Sequence, residues 1–112
     1  MRDATFQILN EIAVERYRQE AGEGYTTEHD DGHTHSELGL AAASYALAAA
    51  AKLRSPAPTD LWRASHEAWP FAESAKHKHA PRRLFIIAIC FLVAEIERLD
   101  RAAGRPGFGE VR

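Results

Sequence analysis

The sequence predicts an all-α fold, three principal helices and one short one in a single domain over residues 1–112, with the bundle completed by oligomerisation. Three observations carry this expectation. Apolar residues recur at three- and four-residue spacing in segments 3–21, 36–54 and 81–103. Glycine or proline closes each of these segments. No segment makes a convincing strand: Ile86 to Val93 has the composition, but it lies inside the long capped stretch that opens at Pro81.

The first helix is expected from Asp3, a candidate N-cap, to about Ala21. Ile8, Leu9, Ile12 and Ala13 form its apolar stripe, with Phe6 before and Tyr17 after. Gly22 and Gly24 end it. Residues 22–35 read as a polar loop containing Tyr25. The second helix is expected from Thr34 or Ser36 to about Arg54, with Ser36 as cap and Glu37 in the first turn. Between Ala41 and Ala51, eight of eleven residues are Ala. That gives high helix propensity and a thin side-chain layer that neighbours can approach closely. Ser55-Pro56-Ala57-Pro58 stops it.

A short helix is expected over Thr59–Ala68, capped by Thr59 or Asp60, with Trp62 and Trp69 beside it. An irregular stretch follows, with Lys76, His77, Lys78 and His79. The last helix starts near Pro81 and stops at Gly104. Leu84 to Ala94 is apolar all round, which predicts the central buried helix. Farther on, Ile96 and Leu99 are expected inward, and Arg98 and Arg101 outward. Residues 104–112 are expected to form a loose tail.

Composition excludes several classes. The chain has 112 residues, 46% hydrophobic and 27% charged, with a formal net charge of −2. It is too apolar for a disordered chain, and its longest apolar run, Leu84 to Ala94, is too short to cross a membrane. One cysteine, Cys90, allows no internal disulfide. With no basic-then-apolar leader at the start, a cytoplasmic location is expected. The near-neutral charge argues against direct nucleic-acid binding.

Five of the six histidines fall in two clusters. His29, His33 and His35 lie among Glu28, Asp30, Asp31 and Glu37. Hard divalent ions favour such carboxylates, and a helix N-terminus adds free N–H groups for anions. The competing reading is a solvated acidic loop. Glu95, Glu97 and Asp100 form a second acidic group on the last helix. His77 and His79 join Lys76, Lys78, Arg82 and Arg83 in a basic patch suited to a polyphosphate. Gly-x-Ser-x-Gly, P-loop and Cys-x-x-Cys motifs are absent.

Three blocks carry a resemblance. They are Glu15-Arg16-Tyr17-Arg18-Gln19; Glu28-His29-Asp30-Asp31-Gly32-His33 with Glu37-Leu38; and Ala94-Glu95-Ile96-Glu97-Arg98-Leu99-Asp100-Arg101. Together with Trp69-Pro70 and Arg82-Arg83, they resemble MazG-like all-α nucleotide pyrophosphohydrolases, including the dATP/dGTP diphosphohydrolase branch, over about residues 8–103. The resemblance implies a dimeric or tetrameric enzyme that uses Mg²⁺ (or Mn²⁺) to cleave a nucleoside triphosphate to monophosphate and pyrophosphate. One departure is visible: Leu40 follows Glu37 by three residues, so that helix lacks the family's Glu-x-x-Glu.

On this reading Asp31, His33, Glu37, Glu95 and Asp100 surround the metal, with Glu37 and Asp31 also catalytic. Lys76, Arg82 and Arg83 take the phosphates, and Trp62 and Trp69 contact the base. One rival is a non-catalytic helical dimer that binds a nucleotide or a protein partner. Another is an HD-type phosphohydrolase built on His29-Asp30, which lacks the upstream histidine that fold needs.

Overall fold

The computed structural model describes residues 3–24, 26–54, 58–75 and 77–104. Tyr25, Lys76 and residues 105–112 of the expected tail lie outside the described residues. Five helices follow in order: α1 (Asp3–Glu23), α2 (Thr27–Asp31), α3 (Glu37–Leu53), α4 (Thr59–Ala68) and α5 (Pro81–Ala102). There is no strand among the described residues.

The polar segment expected as a loop contains a helix, α2. Thr26 makes it possible: its hydroxyl accepts from the His29 N–H at 3.3 Å and its carbonyl from the Asp30 N–H at 2.9 Å. Gly24, at φ +73°, turns the chain out of α1 in the left-handed conformation that glycine adopts without a Cβ clash. Pro81 opens α5 as expected, and Gly104, at φ +72°, follows its end. Two expected caps differ. Ser36 precedes α3 at φ +61° and makes no side-chain cap bond; a Glu37 carboxylate oxygen instead accepts from the His35 N–H at 2.5 Å. Pro58, rather than Thr59 or Asp60, holds the N-cap position of α4.

The main core lies between α3 and α5. Ala41, Ala42, Ala48 and Ala49 present almost bare backbone to Leu84, Ile87, Ala88, Phe91 and Ala94. Tyr45 fills the gap toward Trp69 and Phe91. The thin alanine layer lets two helices pack at close range, so dispersion contacts are dense. On the other side of α3, α4 is pinned by a reciprocal pair. Ser44 Oγ donates to the Ser65 carbonyl at 2.8 Å, and Ser65 Oγ donates to the Ser44 carbonyl at 2.9 Å.

The α1 helix rests on α5 through a narrow strip. Ile12 packs with Ile86 and Cys90, and Glu15, Arg16 and Gln19 continue the same face. The remaining apolar side chains of α1, including Ile8 and Leu9 of the expected stripe, are exposed. Burial pushes the Cys90 thiol up to about 11. The native protein is therefore expected to resist an aromatic disulfide reagent near pH 8, and urea-unfolded protein to react at once; absorbance of the released thiolate checks this.

The face of α5 differs from expectation. Ile96 and Leu99 are 58% and 51% exposed, whereas Arg98 is 9% exposed. Phe85 and Leu92 stand on the same open face as Ile96 and Leu99, at helical spacings of seven, four and three. So α5 is central, touching α1, α2 and α3, yet one of its sides is uncovered. No helix among the described residues is long and apolar enough to cross a membrane.

Candidate functional site

Where α1, α2 and α5 meet the segment after α4, they enclose a cavity of about 260 Å³. Arg16 and Gln19 come from α1, His29 and Asp30 from α2, and His33 from the turn that follows. Trp69, Phe71 and Phe91 form the apolar wall. Arg16 is 8% exposed and draws three elements together. Its Nη2 lies 3.0 Å from Glu97, 3.4 Å from Glu20 and 3.6 Å from Asp30, which is 3% exposed. A guanidinium suits this task because it is always charged and carries five donors.

The imidazoles edge this cavity. His29 Nδ1 is 3.6 Å from Asp30, and the His29 and His33 rings meet edge-on at 4.9 Å. His33 also meets Phe71 edge-on at 5.0 Å, and its Nδ1 is 3.7 Å from Glu37. His33 Nε2 is buried and has no hydrogen-bond partner.

An open groove of about 270 Å³ lies across α2, lined by Asp31, Thr34, Arg98, Arg101 and Ala102. Arg101 donates twice to one Asp31 oxygen, at 3.0 and 2.8 Å. Arg98 Nε donates to Glu95 at 2.6 Å. That bond, with the nearby charges of Glu95, Asp31 and Glu37, holds the Arg98 guanidinium above its ordinary pKa. Glu37 is held below the usual carboxylate range, first by its own N–H and then by that of His35. It remains ionised and is a correspondingly weak proton acceptor.

The expected site residues therefore divide. Arg98 pairs with Glu95 and Arg101 with Asp31, and the charges of Asp31 and Glu37 also act on Arg98. His33 faces Glu37, and Asp100 lies half-buried on α5. Among the described residues, no group of three or more His, Cys, Asp or Glu side chains could hold a metal ion. The residues as arranged in one chain do not fit a divalent cation, because a guanidinium already stands among the carboxylates.

The expected phosphate-binding arginines lie elsewhere. Arg82 makes a two-pronged pair with Glu11 at 2.9 and 2.7 Å, and Arg83 reaches Glu15 at 2.9 Å. Arg18 and then Arg83 hold Glu15 low against the opposing effect of burial. At 1.5 Å per residue, Arg82 and Glu95 are roughly 20 Å apart along α5. One chain does not bring the two groups together. Trp69 lines the cavity and donates to the Glu73 carbonyl at 2.6 Å. Trp62 packs on the core and stacks with His66 at 6.2 Å, away from the cavity lining.

His77, expected with the phosphate-binding basic patch, is a buried packing residue. Its Nε2 lies 2.9 Å from Ser44 Oγ, its Nδ1 3.4 Å from Ser65 Oγ, and its ring meets Tyr45 edge-on. Lys52 donates to the His77 carbonyl and, at 2.7 Å, to that of His79. Burial, then the charges of His66 and Lys52, lowers the His77 pKa below 6.5. A lowered folded-state value means that the unfolded chain binds the proton more readily. The His77 contribution to stability is thus complete above the unfolded value and is lost as pH falls below it. Urea midpoints should drop between about pH 8 and about pH 5, and by less in His77→Gln.

Sequence reasoning missed Arg16, Gln19 and Asp30 as cavity residues. The signal was present: Ile12, Glu15, Arg16 and Gln19 occupy positions i, i+3, i+4 and i+7, a buried stripe whose last three members are polar. Comparison of the chain with protein families, curated proteins and solved structures gives no match.

Proposed function

We propose that the protein is a nucleoside triphosphate pyrophosphohydrolase, converting a nucleoside or deoxynucleoside triphosphate to its monophosphate and pyrophosphate. One juxtaposition supports this reading. A cavity with aromatic walls and an open groove lined by two arginines and Asp31 flank the same short helix, α2. A nucleotide has two corresponding parts, a planar ring system and a charged chain. In the reaction, a water oxygen bonds to the α phosphorus, the α–β bridging bond breaks and pyrophosphate leaves. The released proton passes to a carboxylate or to solvent.

The resemblance also carries Mg²⁺ or Mn²⁺. Since Glu95 and Asp31 are already paired with Arg98 and Arg101, no step is assigned to an ion. Purified protein incubated with the common dNTPs and Mg²⁺ is expected to release pyrophosphate from at least one. Folded protein that releases none would overturn the hydrolase reading.

One observation favours a second reading. Arg98 and Arg101 occupy Glu95 and Asp31, which suits a domain that binds a nucleotide without cleaving it. Binding with no pyrophosphate release would select it. The homo-oligomer is part of the same proposal. Exposed apolar side chains follow one another along α1 (Phe6, Leu9, Tyr17) and α5 (Phe85, Leu92, Ile96, Leu99). A second copy supplies a matching apolar surface by symmetry.

A further inference from the structure

We infer that His77 is a pH-operated latch: its neutral ring fastens one aromatic wall of the cavity to the α3–α4 pair, and its protonation releases that wall and opens the cavity. The inference does not depend on what the cavity holds. Three observations carry it.

The first is where the wall is fastened. Residues 69–75 and 77–80 lead from α4 to α5 without forming a helix. They carry Trp69, Phe71 and Glu73, which line the cavity. At one end the Trp69 N–H donates to the His66 carbonyl at 3.3 Å, and at the other the Ala80 carbonyl accepts from the Leu84 N–H at 3.1 Å. Between those ends, among the described residues, the polar ties to the helices meet at one place. The His77 ring bonds to Ser44 and Ser65, and Lys52 donates to the His77 and His79 carbonyls. Trp69 and Phe71 are held by ring contacts: Trp69 to Tyr45 at 5.7 Å and to Phe91 at 6.4 Å, and Phe71 to His33 at 5.0 Å. Such contacts are weak one by one.

The second is the count of protons in the clasp. Each serine hydroxyl has one proton to give. Ser44 gives its proton to the Ser65 carbonyl, and Ser65 gives its proton to the Ser44 carbonyl. The Ser44 oxygen is left to accept, so Nε2 of the neutral ring, 2.9 Å away, carries the ring proton. Nδ1 is 3.4 Å from Ser65 Oγ, at the outer limit of a hydrogen bond. A second ring proton would meet only this long contact with a neutral oxygen.

The third is the surroundings. Ser44 and Ser65 are fully buried and His77 is nearly so, so a charged ring there gives up most of its water. From α4, His66 stands with its ring 5.7 Å away; from α3 comes Lys52; the charge of each opposes a proton on His77. Tyr45 and Trp69 offer neutral ring edges. Of the neighbours in sequence, Lys78 and His79 are exposed, as is Glu73. Lys76 lies outside the described residues, and its charge has the sign of Lys52. Once released into water, the ring regains its ordinary affinity for a proton. The released form therefore binds the proton more tightly and gains as pH falls. Each unit of pH below the ordinary imidazole value raises the released-to-latched ratio by up to about tenfold.

The test follows Trp69 in the full chain carrying Trp62→Phe, which leaves Trp69 as its one tryptophan. Quenching by acrylamide, a neutral probe, reports how open the indole is to solvent, and far-UV circular dichroism reports helix content. From about pH 7.5 to about pH 5, the quenching constant is expected to rise at least about twofold while helix content holds. The His77 ring resonance, followed by NMR, should titrate with the same midpoint. With His77→Gln, which keeps a hydrogen-bonding group and does not titrate, the quenching constant should stay flat. If that variant fails to fold, His66→Gln takes its place: with one opposing charge removed, both midpoints should move up by roughly 0.3 pH unit. The inference is overturned if quenching stays constant while the His77 ring titrates, or if the rise persists in His77→Gln. It is likewise overturned if the midpoints ignore His66→Gln, or if quenching rises only as helix is lost.

Discussion

Arg16→Met should cost about 3–5 kcal/mol of unfolding free energy, the range for removing one partner of a buried ion pair. Methionine keeps much of the packing of the arginine stem, so the loss reports the guanidinium. The reason lies in what remains. Asp30 is 3% exposed and would keep, among the described residues, only His29 as an ion-pair partner. Glu97 and Glu20 are half-exposed and can turn to water. Adding Asp30→Asn to Arg16→Met should therefore recover part of the loss, whereas adding Glu20→Gln should recover almost none. Urea unfolding of the single and double variants gives the comparison. A loss below about 1 kcal/mol for Arg16→Met would place this network in the surface class, where ion pairs contribute little.

Leu92→Asp combined with Ile96→Asp should convert an assembly into single chains of 12.5 kDa, as measured by sedimentation. Both side chains are already exposed within one chain, so helicity and unfolding midpoint at low concentration should change little. The effect falls on association. Each carboxylate would have to leave water to enter an apolar interface, at a cost of several kcal/mol. A net loss of roughly 4 kcal/mol is a thousandfold weaker dissociation constant. An unmodified protein that sediments as 12.5 kDa chains at high micromolar concentration would dispose of the homo-oligomer.

Much of the fold is legible in the residues because its punctuation is local. Pro81, Gly24 and Gly104 act within a few bonds of themselves, and the alanine run of α3 declares both a helix and a close neighbour. The orientation of α5 is not legible in the same way. From Leu84 to Ala94 every side is apolar, so periodicity supplies no phase for the turns that follow. Arg98 takes the inner position with a bond to Glu95 and under the charges of Asp31 and Glu37, which belong to α2 and α3. The helix in the acidic segment stays hidden because five residues are too few for a periodic signal, and it depends on the Thr26 cap.

The site was legible as a neighbourhood and not as a set of roles. His33 and Glu37 do come near each other, while Glu95 and Asp31 pair with arginines of α5. Their charges are answered by arginines, which spacing along the chain does not reveal. Asp30, next to Asp31 in sequence, faces the opposite hollow. A one-residue step on a helix turns the side chain by about 100°, enough to separate two adjacent carboxylates into different environments.

The narrow seat of α1 on α5 sets an order of events that a static picture conceals. The α3–α4 pair is bound by bonds spanning 21 residues of chain, and α3 with α5 holds the dense core. By contrast, α1 adds a small apolar patch around Ile12, the Glu11 and Glu15 ion pairs and the Arg16 contacts to Asp30 and Glu97. Amide protons of α1 should exchange through partial openings that leave α3 and α5 protected. Each such opening would carry Arg16 and Gln19 away and expose the cavity. Release of whatever the cavity holds could thus proceed by undocking one helix, at a free-energy cost well short of global unfolding.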